Sequence, residues 1–219
     1  MWWIPIAIGT ALLLDCLFDE SGVREVDPDL ADQLVVSFFG IASTGKSSAV
    51  KTLYGVKRPA SPIPGTTQHV KRIRGCVRVG VTVVDTPGLA DIDEAVAQRA
   101  LAFIDDTDIF VYLVNANGGV NSEVIKSLTH LRSAGRPLLA VINKIDTIDL
   151  SEREEFLADQ LARLQSLCDD AIAVAIDPHP SISKKPINLS ALKDWIVNTV
   201  DEEGERLLEE KALATCRST

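Results

Sequence analysis

The sequence predicts a three-layer α/β domain: a mostly parallel six-stranded sheet with one antiparallel edge strand and helices on both faces. Three observations carry that expectation. From residue 34 onward, short apolar runs rich in Val, Ile and Phe alternate with longer stretches of helical periodicity, as strand-helix-strand units require. A glycine-rich segment, Gly40-Ile41-Ala42-Ser43-Thr44-Gly45-Lys46-Ser47, sits where the first apolar run should turn into a helix. Two strand-like runs, 68–74 and 77–84, are joined at Gly75-Cys76, which suits an antiparallel hairpin at the sheet edge and not a parallel crossover.

In chain order, the first strand is Leu34 to Phe39, and the helix after it runs from Lys46 to Leu53 and stops at Gly55. The hairpin strands follow, then a helix from Glu94 to Ile104 and strands from Ile109 to Val114 and Pro137 to Ile142 around a helix from Ser122 to Ser133. Ser151 and Glu154 form an S-x-x-E capping box that should open a helix reaching Cys168. After a strand from Ala171 to Ile176, a last helix from Ser190 to Val200 turns Leu192, Trp195, Ile196 and Val200 inward. Asp201-Glu202-Glu203-Gly204 then suggests that residues 201–219 are a charged, solvated and frayed extension.

The chain's 219 residues hold one ordinary domain, residues 33–200, plus short extensions. Residues 2–18 are apolar except for Thr10 and Asp15, and Trp2-Trp3 resembles an aromatic anchor at a bilayer interface. Residues 1–18 therefore read as a membrane-anchoring helix, with an interfacial helix or one docked on the domain as alternatives; the span is short against the ~20 apolar residues needed to cross. The linker, residues 19–32, is acidic, contrary to the positive-inside pattern. Cys16, Cys76, Cys168 and Cys216 are widely spaced, which suits reduced thiols in the cytoplasm, at the inner face of the cell membrane if the anchor holds. The net charge of −9 argues against nucleic acid as a partner of the whole surface. Yet no Asp or Glu occurs from Gln33 to Val84, where Lys46, Lys51, Lys57, Arg58, Lys71, Arg72, Arg74 and Arg78 gather. That basic stretch is either a solvated face or an electrostatic lure for a polyphosphate or an anionic partner.

The glycine-rich segment reads as a phosphate cradle. Gly40 and Gly45 free the backbone of Cβ atoms where amides must close on a phosphate, Lys46 places a cation at the β- and γ-phosphates, and Ser47 would ligate Mg²⁺. Ser43, Thr44 and Ser48 belong to the same contact set. Val81-Thr82-Val83-Val84 leads into Asp85-Thr86-Pro87-Gly88, where Asp85 can hold Mg²⁺ through water and the Gly88 amide can bond a γ-phosphate oxygen. The run ending at Ile142 opens into Asn143-Lys144-Ile145-Asp146. A carboxylate there can accept from guanine N1 and its exocyclic amine, whereas adenine offers no such donor pair, so guanine is preferred. Lys144 would lay its stem on the base and Asn143 would brace the loop.

This ordered set resembles the GTPase domain of the Era/TrmE-like branch of bacterial GTP-binding proteins, a P-loop NTPase G domain, over roughly residues 33–200. The resemblance adds Pro64-Gly65-Thr66-Thr67 as the first switch, with Thr67 closing over Mg²⁺ and the γ-phosphate and Thr66 as the fallback. It implies GTP and GDP as ligands, Mg²⁺ as cofactor, a protein effector of unknown identity, and catalysis supported by Lys46, Thr67 and Gly88. Two positions depart. Ser43 stands where many relatives carry an asparagine used with potassium, so the resemblance does not extend to potassium activation. Leu89 stands where Ras-like proteins carry the glutamine that orients water, which implies slow hydrolysis or, alternatively, a nucleotide-gated interaction module with negligible turnover. The family's S-A guanine loop has two candidates: Ser190-Ala191, which reads better as a helix cap, and Ala175-Ile176-Asp177, where the Ile176 segment would offer backbone amides to the base.

Overall fold

The computed structural model describes residues 32–55, 71–74, 81–86 and 103–217, with backbone alone at 71–74 and 215–217. Residues 1–18 and most of the linker, the Thr66-Thr67 segment, the Gly75-Cys76 connection, Gly88, Leu89 and the body of the helix expected from Glu94 lie outside the described residues. The elements are β1 (Leu34–Gly40), α1 (Lys46–Tyr54), β2 (Lys71–Arg74), β3 (Val81–Asp85), β4 (Ile109–Asn115), α2 (Ser122–Ser133), β5 (Leu138–Asn143), α3 (Arg153–Leu164), β6 (Asp170–Ala173) and α4 (Leu189–Arg217). They build one six-stranded sheet in the order β2-β3-β1-β4-β5-β6, parallel throughout except where β2 meets β3.

Alternation within the central strands explains the three layers. Along β4, Phe110, Tyr112 and Val114 join one apolar cluster while Ile109, Val111 and Leu113 join the other. The first cluster is roofed by Leu128 and Leu131 of α2 and Leu164 of α3; the second by Ala49 and Val50 of α1 and Leu192, Ile196 and Val200 of α4. With helices on both faces, β1, β3 and β5 are buried at every residue, which is why they read as continuous apolar runs. Burial also pushes the Tyr112 phenol up to about 12.

The strand order reverses at β1, and the carboxyl ends of β1, β3 and β5 open on one edge. In such sheets that crevice is where ligands bind. No helix among the described residues is long and apolar enough to cross a membrane.

Four expectations are corrected. The last helix does not end near Val200 but continues to Arg217, a 29-residue element. Its second half is docked: Leu207 is buried, a Cβ on Gly204 would come within 2.9 Å of Leu34 Cδ1, and the Lys211 ammonium meets Asp108 Oδ2 at 2.7 Å with both side chains fully buried. Acid on the outer face, partly paired with Arg206, hid that inner face in the sequence. The capping box does not form either. Ser151 gives its hydroxyl to Asp149 Oδ1 at 2.6 Å, and α3 starts two residues later at Arg153. The last strand is shorter, Asp170–Ala173, because Ala175 pairs instead with Ile187 in an antiparallel bridge. Ser190 is the second residue of α4, not its cap; the chain enters that helix through Asn188 at φ 56°, whose amide donates to Ala173 O.

Candidate functional site

The glycine-rich loop leaves β1 at Gly40 and enters α1 at Gly45. Gly40 has φ 140°, and a Cβ there would lie 2.4 Å from the Leu113 carbonyl oxygen of β4. Gly45 has φ 97°, and its Cβ would lie 2.4 Å from Asn143 Nδ2. Both positions demand glycine for conformation and for space. Between them Ser43 takes the left-handed conformation at φ 64° and is exposed, while Thr44 is buried with its hydroxyl on Ile41 O at 3.0 Å.

Lys46 folds back under the loop. Its ammonium donates to Gly40 O at 2.9 Å and Ile41 O at 2.8 Å, so a buried cation is held in register with the loop's concave side. No acidic residue occupies the first turn of α1, which contains Ser47 and Ser48; the positive end of the helix dipole is thus left for an external anion. Ser47 Oγ donates to Asp85 Oδ2 at 2.8 Å, bringing a hydroxyl and a buried carboxylate together beside that helix end. Thr86, next after Asp85, ties its hydroxyl to Phe38 O at 2.8 Å and fixes the segment leaving β3. Two hard oxygen donors of this kind suit Mg²⁺, which takes one or two protein oxygens and completes its shell with water and phosphate.

A second loop follows β5. Asn143 Nδ2 donates to Thr44 O at 2.9 Å, and its Oδ1 accepts the Ile176 N–H at 3.1 Å. One buried carboxamide therefore holds three segments together: the phosphate loop, its own loop and the chain beyond β6. Lys144 has φ 66°, and the 3₁₀ turn Ile145–Thr147 after it presents Asp146, which is 7% exposed. The Asp146 carboxylate accepts the His179 N–H at 3.1 Å.

Most of the expected site residues are thus gathered at the sheet's carboxyl edge: Gly40, Ser43, Thr44, Gly45, Lys46, Ser47, Ser48, Asp85, Asn143, Lys144 and Asp146. Thr67 and Gly88 lie outside the described residues. Ile176 is corrected. It is buried, and its N–H is given to Asn143 Oδ1, so here that amide braces the loop. Sequence reasoning passed over His179. Its signal was the Pro178-His179-Pro180 triplet, in which a single residue retains an N–H.

The chain is similar to known proteins in sequence and in fold. The sequence model of a family described as 50S ribosome-binding GTPase matches residues 35–144, half of the chain. Translation initiation factor IF-2 of Methylocella silvestris is 31% identical over 190 residues, and that of Rickettsia rickettsii 28% identical over 165. These matches cover 81% and 74% of this chain but only 20% and 19% of the relatives, so the chain spans about a fifth of their length. Among solved structures, a variant of Era from Aquifex aeolicus bound to GDP·AlF₄⁻ superposes with a TM-score of 0.59 at 22% identity, covering 75% of this chain and 56% of that one. A complex of Era with MgGDPNP and a 16S ribosomal RNA fragment gives 0.61 at 20% identity, with coverage of 76% and 56%. At such identities the structural likeness shows the fold.

Proposed function

This chain belongs to the GTPase family described as 50S ribosome-binding GTPase, and on that premise we propose that it is a Mg²⁺-dependent GTP switch with slow intrinsic turnover. A GTPase-family domain with this fold is what the family match and the structural likeness give; the switch, the residue roles, the metal and the setting are the proposal. The observation that supports it best is the Ser47 hydroxyl bonded to Asp85 at 2.8 Å beside the buried, loop-bound Lys46 ammonium.

In this reading Lys46 and the amides from Ser43 to Ser48 bind the β- and γ-phosphates of GTP. Ser47, Asp85 and Thr67 would hold Mg²⁺, which would supply positive charge to offset the charge developing on the phosphates. Thr67 and Gly88 close on the γ-phosphate and release when it leaves, which makes the domain a switch. Asn143 fixes the loop that presents Lys144 and Asp146 to guanine. Lys46 stabilises the transferred phosphoryl group as water attacks it and GDP leaves.

The alternative, a nucleotide-gated module with negligible turnover, is supported by Ser43, whose short, exposed side chain replaces a carboxamide, and by Leu89. Single-turnover phosphate release with Mg²⁺, in potassium and in sodium, separates the two. The GTPase reading expects a rate on the order of 10⁻⁴ to 10⁻² s⁻¹ in both salts, abolished in Lys46→Ala. No release above the Lys46→Ala background would overturn it in favour of the module. Residues 1–18 would tether the domain to a membrane, where a protein effector meets it. Cell fractionation with and without that segment tests the tether, and a full-length protein found entirely in the soluble fraction would exclude it.

A further inference from the structure

Beside the loop that carries Asp146 lies a second loop that the GTPase reading does not require. Between the strand after β5 and α4, residues 176–186 form a loop closed at its foot by Ala175 and Ile187, which exchange both main-chain hydrogen bonds at 3.1 and 2.8 Å. Inside it the chain reads Asp177-Pro178-His179-Pro180-Ser181. Neither proline has an N–H, and each fixes its own φ while restricting the residue before it. His179 is therefore the one main-chain donor of the Pro-His-Pro triplet, and that N–H points at Asp146 Oδ2, 3.1 Å away.

The main-chain turn around His179 holds that direction. The His179 carbonyl accepts from Ile182 N at 2.8 Å and Ser183 N at 3.1 Å, closing the turn behind it. Its ring Nδ1 meets Ser181 Oγ at 2.6 Å and also receives the Ser181 N–H at 3.3 Å. Pro178 is buried, anchoring the near side. A carboxylate that must accept two donors from a planar base has to be held in the plane of that base. A main-chain donor on a proline-flanked segment can hold it without the rotamer freedom of a side chain.

We propose that His179, through its main-chain N–H, is the positioning residue that orients Asp146 and so sets guanine discrimination in this chain. The inference rests on the assignment of Asp146 as the base reader. Its consequence is selective. The contact most sensitive to carboxylate orientation is the second one, to the exocyclic amine that guanine has and hypoxanthine lacks.

The test measures GDP and IDP dissociation constants for the wild type, His179→Pro and His179→Ala. Removing the N–H in His179→Pro should weaken GDP about tenfold and IDP much less, narrowing the GDP/IDP ratio at least about fivefold. His179→Ala, which restores the N–H, should recover the ratio. Equal loss of both nucleotides, or an unchanged ratio, overturns the proposal, as does a ratio that stays narrowed in His179→Ala. Should His179→Pro fail to fold, amide hydrogen exchange in wild type and Asp146→Ala supplies the decision: the proposal expects the His179 amide to exchange about tenfold faster in the variant, and equal protection refutes it. Asp146→Asn is run alongside. If it fails to move preference toward xanthine nucleotides, the base-reader assignment has failed; if it succeeds while the GDP/IDP ratio ignores His179→Pro, His179 alone has been misassigned.

Discussion

Replacing Lys211 by Met removes the cation from the most deeply buried ion pair among the described residues. The Lys211 ammonium donates to Asp108 Oδ2 at 2.7 Å and to Gln33 O at 2.8 Å, and neither charged side chain reaches solvent. Asp108 also accepts the Val35 N–H at 2.8 Å, so this one carboxylate joins α4 to the starts of β1 and β4. In Lys211→Met the carboxylate keeps that amide but loses the Lys211 ammonium while it stays buried. Breaking such a pair from one side costs about 3–5 kcal/mol. For a domain of this size that corresponds to a drop in Tm of roughly 6–20 °C. Urea unfolding followed by far-ultraviolet circular dichroism reads it directly, with GDP held at one saturating concentration because bound nucleotide itself adds stability. Adding Asp108→Asn should restore most of the loss, since Asn can still accept from Val35 and no bare charge remains. A loss under about 1 kcal/mol in Lys211→Met, or no recovery in the double variant, would refute the docking of residues 201–217 as part of the domain.

Gly45→Ala should reduce nucleotide affinity by more than about tenfold, because a methyl group 2.4 Å from Asn143 Nδ2 must displace the carboxamide that holds the two loops together; titration with a fluorescent GDP analogue checks it. Asp85→Asn should leave GDP binding nearly insensitive to Mg²⁺ while the wild type loses affinity when EDTA is added, as isothermal titration in both conditions would show. Cys168 should resist alkylation in the native state. It is 4% exposed, and burial pushes its thiol up to about 11, leaving a thiolate fraction on the order of 10⁻³ at pH 8; peptide mapping after labelling, with and without urea, is the measurement.

The sheet and its ligand edge were legible in the sequence because two independent signals coincided. Apolar runs such as Leu138 to Ile142 are what strands covered on both faces of a mostly parallel sheet require, and each run that ends in a motif places that motif at a strand's carboxyl end. Asn143 illustrates the gain. Its place in N-K-I-D gave it a bracing role, and the structure shows which segments it braces, Thr44 and Ile176, 99 and 33 residues away. Less legible were features decided by distant packing. The acidic stretch after Val200 looked solvated because charge density is local, whereas the burial of Lys211 depends on Asp108, 103 residues earlier. Ser151 and Glu154 matched a capping pattern, yet Asp149 competes for the serine hydroxyl and wins, so the helix starts later. His179 was missed for a related reason: its contribution is a main-chain N–H, and only the flanking prolines mark it.

Whether Asp146 reads guanine is decided by a nucleotide titration of Asp146→Asn against GTP and XTP. The Asp146 carboxylate presents acceptors to guanine, and an amide in its place presents a donor to a donor. Asp146→Asn should lose GTP affinity roughly 100-fold and gain affinity for XTP, whose ring carries an acceptor at the position of guanine's amine. Unchanged GTP affinity together with an unchanged GTP to XTP preference would contradict it.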